Sequence, residues 1–112
     1  MAIQTVLQRN STVAGYTGAV THSALASTTP GATAGTELTG GGYARIALTW
    51  AAPANSASSA SATHTVGSGS TVAGGMLYDA LTAGNYRDGV GLTSQAFSSA
   101  GTYTVTYTYT QT

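Results

Sequence analysis

The most regular stretch of the chain is its last. Between positions 102 and 112 threonine takes every even place, and the odd places read Tyr103, Val105, Tyr107, Tyr109 and Gln111. A strict two-residue period of β-branched and aromatic residues predicts a strand. At about 3.3 Å per residue it would span roughly 36 Å. The segment has no charge, proline or glycine, which is the make-up of a cross-β zipper. It is therefore expected at the centre of a sheet or under the cover of another subunit.

Residues 43–50 predict a second strand. Ala44, Ile46, Leu48 and Trp50 share one face, and Tyr43, Arg45, Ala47 and Thr49 share the other. Fainter alternation marks residues 20–25, 62–66, 72–80 and 90–97. Residues 84–89, with their Asn and Asp-Gly content, read as a hairpin tip. Residues 28–36 form a loop around Pro30-Gly31, and residues 51–62, built of Ala, Ser, Pro and Asn, read as a flexible connection. Ile3, Val6 and Leu7 fit one short helical turn or an arm, and no amphipathic helix of useful length is predicted. Residues 1–15 are thus expected as an N-terminal arm or short turn. Residues 16–112 are expected as one all-β domain, a small antiparallel β-sandwich, Ig-like or jelly-roll-like.

Composition adds a constraint. Thr, Ala, Gly and Ser supply 68 of the 112 residues, only 5% are charged, and the net charge is zero. An ordinary soluble domain carries roughly 25% charged residues. Without a basic cluster, no nucleic acid or membrane partner is expected. There is no cysteine, so neither a disulfide nor a thiolate metal site is expected. No run of about 20 apolar residues predicts a membrane span. The start, Met-Ala-Ile-Gln, lacks the basic and apolar regions of a secretory signal.

Few residues could carry chemistry. A Ser-His-acid triad would have to use His22 or His64, yet both lie in alternating Thr/Ser/Ala segments and no G-x-S-x-G elbow occurs. Asp79 and Asp88 could form a glycosidase pair only by spacing, and Asp88 in Arg-Asp-Gly reads as a turn residue that bonds its own backbone. Gly67-Ser68-Gly69 and Gly89-Val90-Gly91 lack the third glycine of a dinucleotide loop. No catalytic residue, cofactor or metal ligand is nominated, and the chain reads as a non-enzyme. The candidate interface residues are Arg45, Tyr103, Tyr107 and Tyr109. Tyrosine joins apolar area to a polar tip, so the three on the last strand could pack on a core, meet another subunit or stack on sugars. Arg45 could pair with one of the three acids or reach across a subunit boundary.

Three motifs in order carry a resemblance: Gly40-Gly41-Gly42-Tyr43-Ala44-Arg45, then Gly74-Gly75-Met76-Leu77-Tyr78-Asp79-Ala80, then Ala83-Gly84-Asn85-Tyr86. Over roughly residues 20–109 this order resembles a family of small structural proteins of tailed bacteriophages, described as tail-fibre, minor tail or capsid decoration proteins. The resemblance implies a place in the virion and no catalytic residues. Members often begin with a longer helical segment than residues 1–12 offer here. A surface poor in charge fits burial against neighbours, because Thr, Ser and Tyr hydrogen-bond across an interface without the desolvation cost of an ion. The leading expectation is a capsid decoration protein that binds the major capsid protein across capsomer junctions and associates with copies of itself, as a trimer at a three-fold site. The alternative is a tail-tip or tail-fibre module that recognises host-surface glycans through exposed tyrosines or Trp50.

Overall fold

A computed structural model describes residues 3–112. Where an arm or a single turn is expected from the sequence, the chain forms a helix, α1 (Val6–Ala19). Thr5 caps it by accepting the Gln8 N–H at 3.2 Å. Two glycines and four β-branched residues make the segment a poor helix former, and of its side chains only Val13 is fully buried. Tertiary contacts hold the helix instead. Arg9 Nε donates to Ser56 Oγ at 2.7 Å, and Asn10 Oδ1 accepts the Ser56 N–H at 2.8 Å. Those two bonds clamp the tight turn at Asn55 and Ser56, both in the left-handed region.

Among the described residues six strands follow: β1 (His22–Ala26), β2 (Ile46–Ala47), β3 (Ala57–Val66), β4 (Thr71–Tyr78), β5 (Tyr86–Ala96) and β6 (Gly101–Thr110). All pairings are antiparallel. One sheet has the order β2-β1-β4-β5, and the other contains only β3 and β6. The two layers enclose a core of Leu25, Val66, Val72, Leu77, Val105 and Tyr107. The all-β sandwich expected from the sequence is therefore the architecture, with one helix added to it.

Three expected elements differ. Residues 57–62, read as part of a flexible connection, belong to β3. Its inward positions are Ser58, Ala60, Ala62, His64 and Val66, and the outward ones after Ala57 are Ser and Thr. Alanine against serine gives almost no hydrophobic contrast, so the period is hidden. The inward residues are small because β6 fills the space opposite: Ala60 faces Tyr107 and Ala62 faces Val105. Within residues 43–50, expected as one strand, Ile46 and Ala47 alone form a ladder. This segment crosses between layers: Ala44 O accepts from His64 Nδ1, whereas the Leu48 N–H goes to Thr21 O. The expected tip at 84–89 lies further back, since β5 already begins at Tyr86; Asp79 closes the turn by accepting the Asn85 N–H at 2.7 Å and its side-chain amide at 3.0 Å.

The Gly74-Gly75 pair on β4 is a packing requirement on both faces. A Cβ on Gly74 would lie 2.2 Å from Pro30 Cδ, and one on Gly75 would lie 2.7 Å from the Tyr107 hydroxyl. The first glycine admits the 28–36 loop and the second admits β6. Strand β6, expected at a sheet centre or under another subunit, is not central: among the described residues β3 is its only sheet neighbour.

Candidate functional site

Glu37 and Arg45 meet at a cleft of about 540 Å³, lined also by Tyr43, Leu81 and Ala83. Arg45, the residue just before β2, enters it from there. Its Nη2 and Nε reach the two Glu37 oxygens at 2.9 and 3.0 Å, a two-point contact suited to a guanidinium fork. Nη1 donates to Ala80 O at 3.1 Å and Ala83 O at 2.7 Å. The guanidinium carbon also sits 3.7 Å from the centre of the Tyr78 ring. Tyr43 donates its hydroxyl to Glu37 at 2.8 Å and accepts the Leu25 N–H at 3.0 Å. Burial alone would raise the Glu37 carboxyl, but the hydrogen bonds from Arg45 and Tyr43 outweigh it and hold the group below its usual range. The Arg45 side chain is 9% exposed, and it joins the 37–45 segment to the β4–β5 turn within one chain.

Replacing Arg45 with alanine is therefore expected to cost roughly 2 to 3 kcal/mol, because it leaves the half-buried Glu37 carboxylate without its counter-charge, with Tyr43 as its remaining donor, and takes the donor from two carbonyls. Lysine, a point charge, should recover less than half of that loss. Urea unfolding of the two variants beside the parent protein checks both figures.

A second constellation looks catalytic at first. Ser23 Oγ lies 2.8 Å from His64 Nε2, across 41 residues of sequence. Nδ1 of the ring lies 3.1 Å from Ala44 O, so it carries the proton, and Nε2 accepts from Ser23. Tyr107 completes the chain, with its hydroxyl 2.9 Å from Ser23 Oγ and 3.3 Å from Met76 O. The second partner of the histidine is a backbone carbonyl, where a triad would have a carboxylate. Both Ser23 and His64 are 0% exposed, which leaves the hydroxyl no path to a substrate. Burial pushes the His64 imidazole down and the Tyr107 phenol up to about 12, so both stay neutral. The network is a polar core that ties β1, β3, β4 and β6 together.

The candidate interface residues on β6 divide by depth. Tyr107 is buried in the network just described. Tyr103 and Tyr109 are half-buried: Tyr103 meets Phe97 edge-on at 6.4 Å, and Tyr109 stacks on Tyr16 of α1 at 3.8 Å. Tyr16 was not nominated by the sequence, because the helix carrying it was not predicted. Its hydroxyl donates to Asp88 Oδ2 at 2.9 Å, and burial, with that bond second, raises its phenol. Asp79 is held by Asn85 and Arg87, so neither carboxylate of the imagined glycosidase pair stands free. The His22 ring meets its neighbour, Thr21 Oγ1, at 2.9 Å. Trp50, half-buried, donates its indole N–H to Val20 O at 2.8 Å. Among the described residues no cluster of three metal-ligating side chains occurs, and no helix is long and apolar enough to cross a membrane.

Comparison with known proteins adds the deciding observation. Residues 5–109 match the family described as podophage GP4 fiber I protein gp80. The chain belongs to this family. The match runs through α1, all six strands and the Arg45 cluster, so it covers the described fold nearly end to end. Membership in a phage fibre family makes the chain a structural protein of the bacteriophage virion. No curated protein and no solved structure matches it.

Proposed function

We propose that this chain is a structural module of a tailed-phage fibre, and that it contributes shape and contact surface to the assembly without catalysing a reaction. The observation that carries the reading is the fibre-family match over residues 5–109. For that reason the fibre takes precedence over capsid decoration, the leading expectation from composition and motif order. The body supports it: its principal extents are 48 × 23 × 23 Å, about twice as long as wide. So does the surface, where neutral Thr and Ser cover the outer faces of β3 and β6.

Glycan recognition is not included in the proposal. Stacking on a sugar needs an open ring, and every aromatic ring among the described residues is half-buried or buried. The polar groups in the cleft are committed to one another, Arg45 to Glu37 and Tyr43 to both Glu37 and Leu25. An antibody label on intact particles tests the proposal. Label on fibres, at a copy number far below that of the major shell protein, is expected; label spread over the shell in proportion to that protein would sink it.

A further inference from the structure

The sheet edges of this molecule are unequally protected. A bare edge strand offers unpaired N–H and C=O groups to any other strand, and proteins blunt such edges with charge, bulges or cover. The outer edge of β5 carries Arg87 and Asp88, and the β4–β5 ladder is interrupted by register shifts at Val72/Gly74 and Leu77/Tyr78. Strand β2 is two residues long. The outer edge of β3 is covered by the preceding segments, with the Ala51 N–H on Ser59 O and Ala44 O on His64. Strand β6 has none of these devices. Its ten residues pair with β3 in unbroken register from Gly101 to Thr110, and they carry no charge or proline.

The direction of its free groups follows from the ladder. In an antiparallel pair, residues with N–H and C=O aimed at the partner alternate with residues whose groups point away. The Gln111 N–H donates to Ser56 O at 2.8 Å, one step beyond the Ala57–Thr110 pair. The odd positions of β6 therefore bond to β3, and the even positions, all threonine, aim their backbone groups outward. The close hydroxyl pairs agree, since side chains approach most nearly at the non-bonded positions: Thr108 with Ser59 at 2.9 Å, and Thr106 with Ser61 and Thr104 with Thr63 at 2.8 Å. The outward N–H and C=O groups of Thr102, Thr104, Thr106, Thr108 and Thr110 find no partner among the described residues.

We propose that the outer edge of β6 pairs antiparallel with the same edge of a second copy of this chain, about a two-fold axis through Thr106. Thr102 then faces Thr110, Thr104 faces Thr108, and Thr106 faces itself. Each such pair exchanges two bonds, roughly ten in all. The threonine hydroxyls of both copies line one face, where cross-strand threonine pairs are favourable. Tyr103 meets Tyr109 and Val105 meets Tyr107 on the other. Two marginal two-stranded ribbons become one four-stranded sheet, β3-β6-β6-β3, with β3 outermost. A second copy fits this edge because the strand is its own complement: every outward position is threonine in either direction, and no charge repels its mate. The two-fold stands in place of the three-fold association expected from a capsid lattice. It rests on the edge geometry alone, whatever the chain's place in the virion.

Sedimentation of the purified chain through a dilution series tests this. A species of twice the 11.1 kDa chain mass is expected, and a lone chain or a three-chain species throughout would overturn it. Thr106→Pro removes only an outward N–H, a placement proline tolerates at an edge, and should halve the mass while the fold survives. Should that variant not fold, Thr106→Lys sets two ammonium groups across the axis and should halve the mass likewise. Either variant folded and still double would count against the pairing. Cysteine reports the register, because the chain has none of its own. Thr106→Cys should oxidise to a linked pair, since opposed Cα atoms about 5.5 Å apart allow a disulfide. Thr102→Cys should link only when mixed with Thr110→Cys. Failure of Thr106→Cys to link refutes the axis.

Discussion

Replacing His64 with alanine is expected to lower the unfolding free energy by roughly 3 to 5 kcal/mol, a large share of the roughly 5 to 15 kcal/mol of an ordinary domain. The imidazole is wholly enclosed and uses both nitrogens, one on Ala44 O and one on Ser23. Its removal leaves a cavity, strands the Ala44 carbonyl and frees one end of the Ser23–Tyr107 pair. Ser23→Ala takes away one hydroxyl of the same network and should cost less, about 1 to 3 kcal/mol. The histidine also gives the protein a pH signature. Burial lowers the folded-state pKa of His64 below 6.5, so the unfolded chain binds the proton more readily. The stability due to the neutral ring is complete above 6.5 and declines as pH falls from there towards the lowered folded value. Glu37 acts separately: its carboxyl is held below 4.5, so its contribution persists above 4.5 and is lost as pH falls through its folded value. Urea unfolding between about pH 7 and pH 5 should show a slope in the parent protein that flattens in His64→Ala. An unchanged slope would assign the dependence to another group.

How much of this was legible in the sequence depends on contrast and on separation. Strand β6 reads directly, since threonine against tyrosine and valine is a strong two-beat signal. Its partner β3 has the same period in Ser58, Ala60 and Ala62, but side chains that small do not separate inside from outside until Val105 and Tyr107 are seen filling the gap. Helix α1 was hidden because its stability comes from Ser56 and β6, contacts that local propensity does not contain. Pairing of Arg45 with an acid was legible from its isolation in an apolar strand, and Glu37 is the acid, eight residues back. The Ser23–His64–Tyr107 network spans most of the chain, and no spacing rule connects residues so far apart. Tyr43, which bridges Glu37 and β1, was read as one face of a strand and as part of a motif, and neither reading gave it a partner.

A second large single-residue effect should come from a residue with no side chain. Gly41 lies in the left-handed region at φ +65°, and a Cβ placed on it would meet Gly67 Cα at 2.3 Å and Gly67 N at 3.0 Å. The opposing group is backbone, which cannot rotate aside as a side chain can. Two turns that share no ladder, residues 40–42 and the β3–β4 connection at 67–69, touch here through bare main chain. Gly41→Ala therefore meets two penalties, a left-handed conformation costing about 1 to 2 kcal/mol and a clash that must push the turns apart. Its neighbour separates the two. Gly40 has φ +76° but open space around its Cβ position, so Gly40→Ala should cost only about 1 to 2 kcal/mol, the conformational part. Gly41→Ala should lose more than twice as much by urea unfolding. Gly67→Ala approaches the same contact from the other side, at 2.9 Å from Gly41 Cα with no left-handed penalty, and should fall between them. Equal losses at positions 40 and 41 would show that the turns give way, and that backbone conformation alone explains the triple glycine. A clear excess at 41 explains it differently: the glycines ahead of Tyr43 and Arg45 let the turn seat against β3–β4, and so set the entry of the segment that carries Arg45 to Glu37.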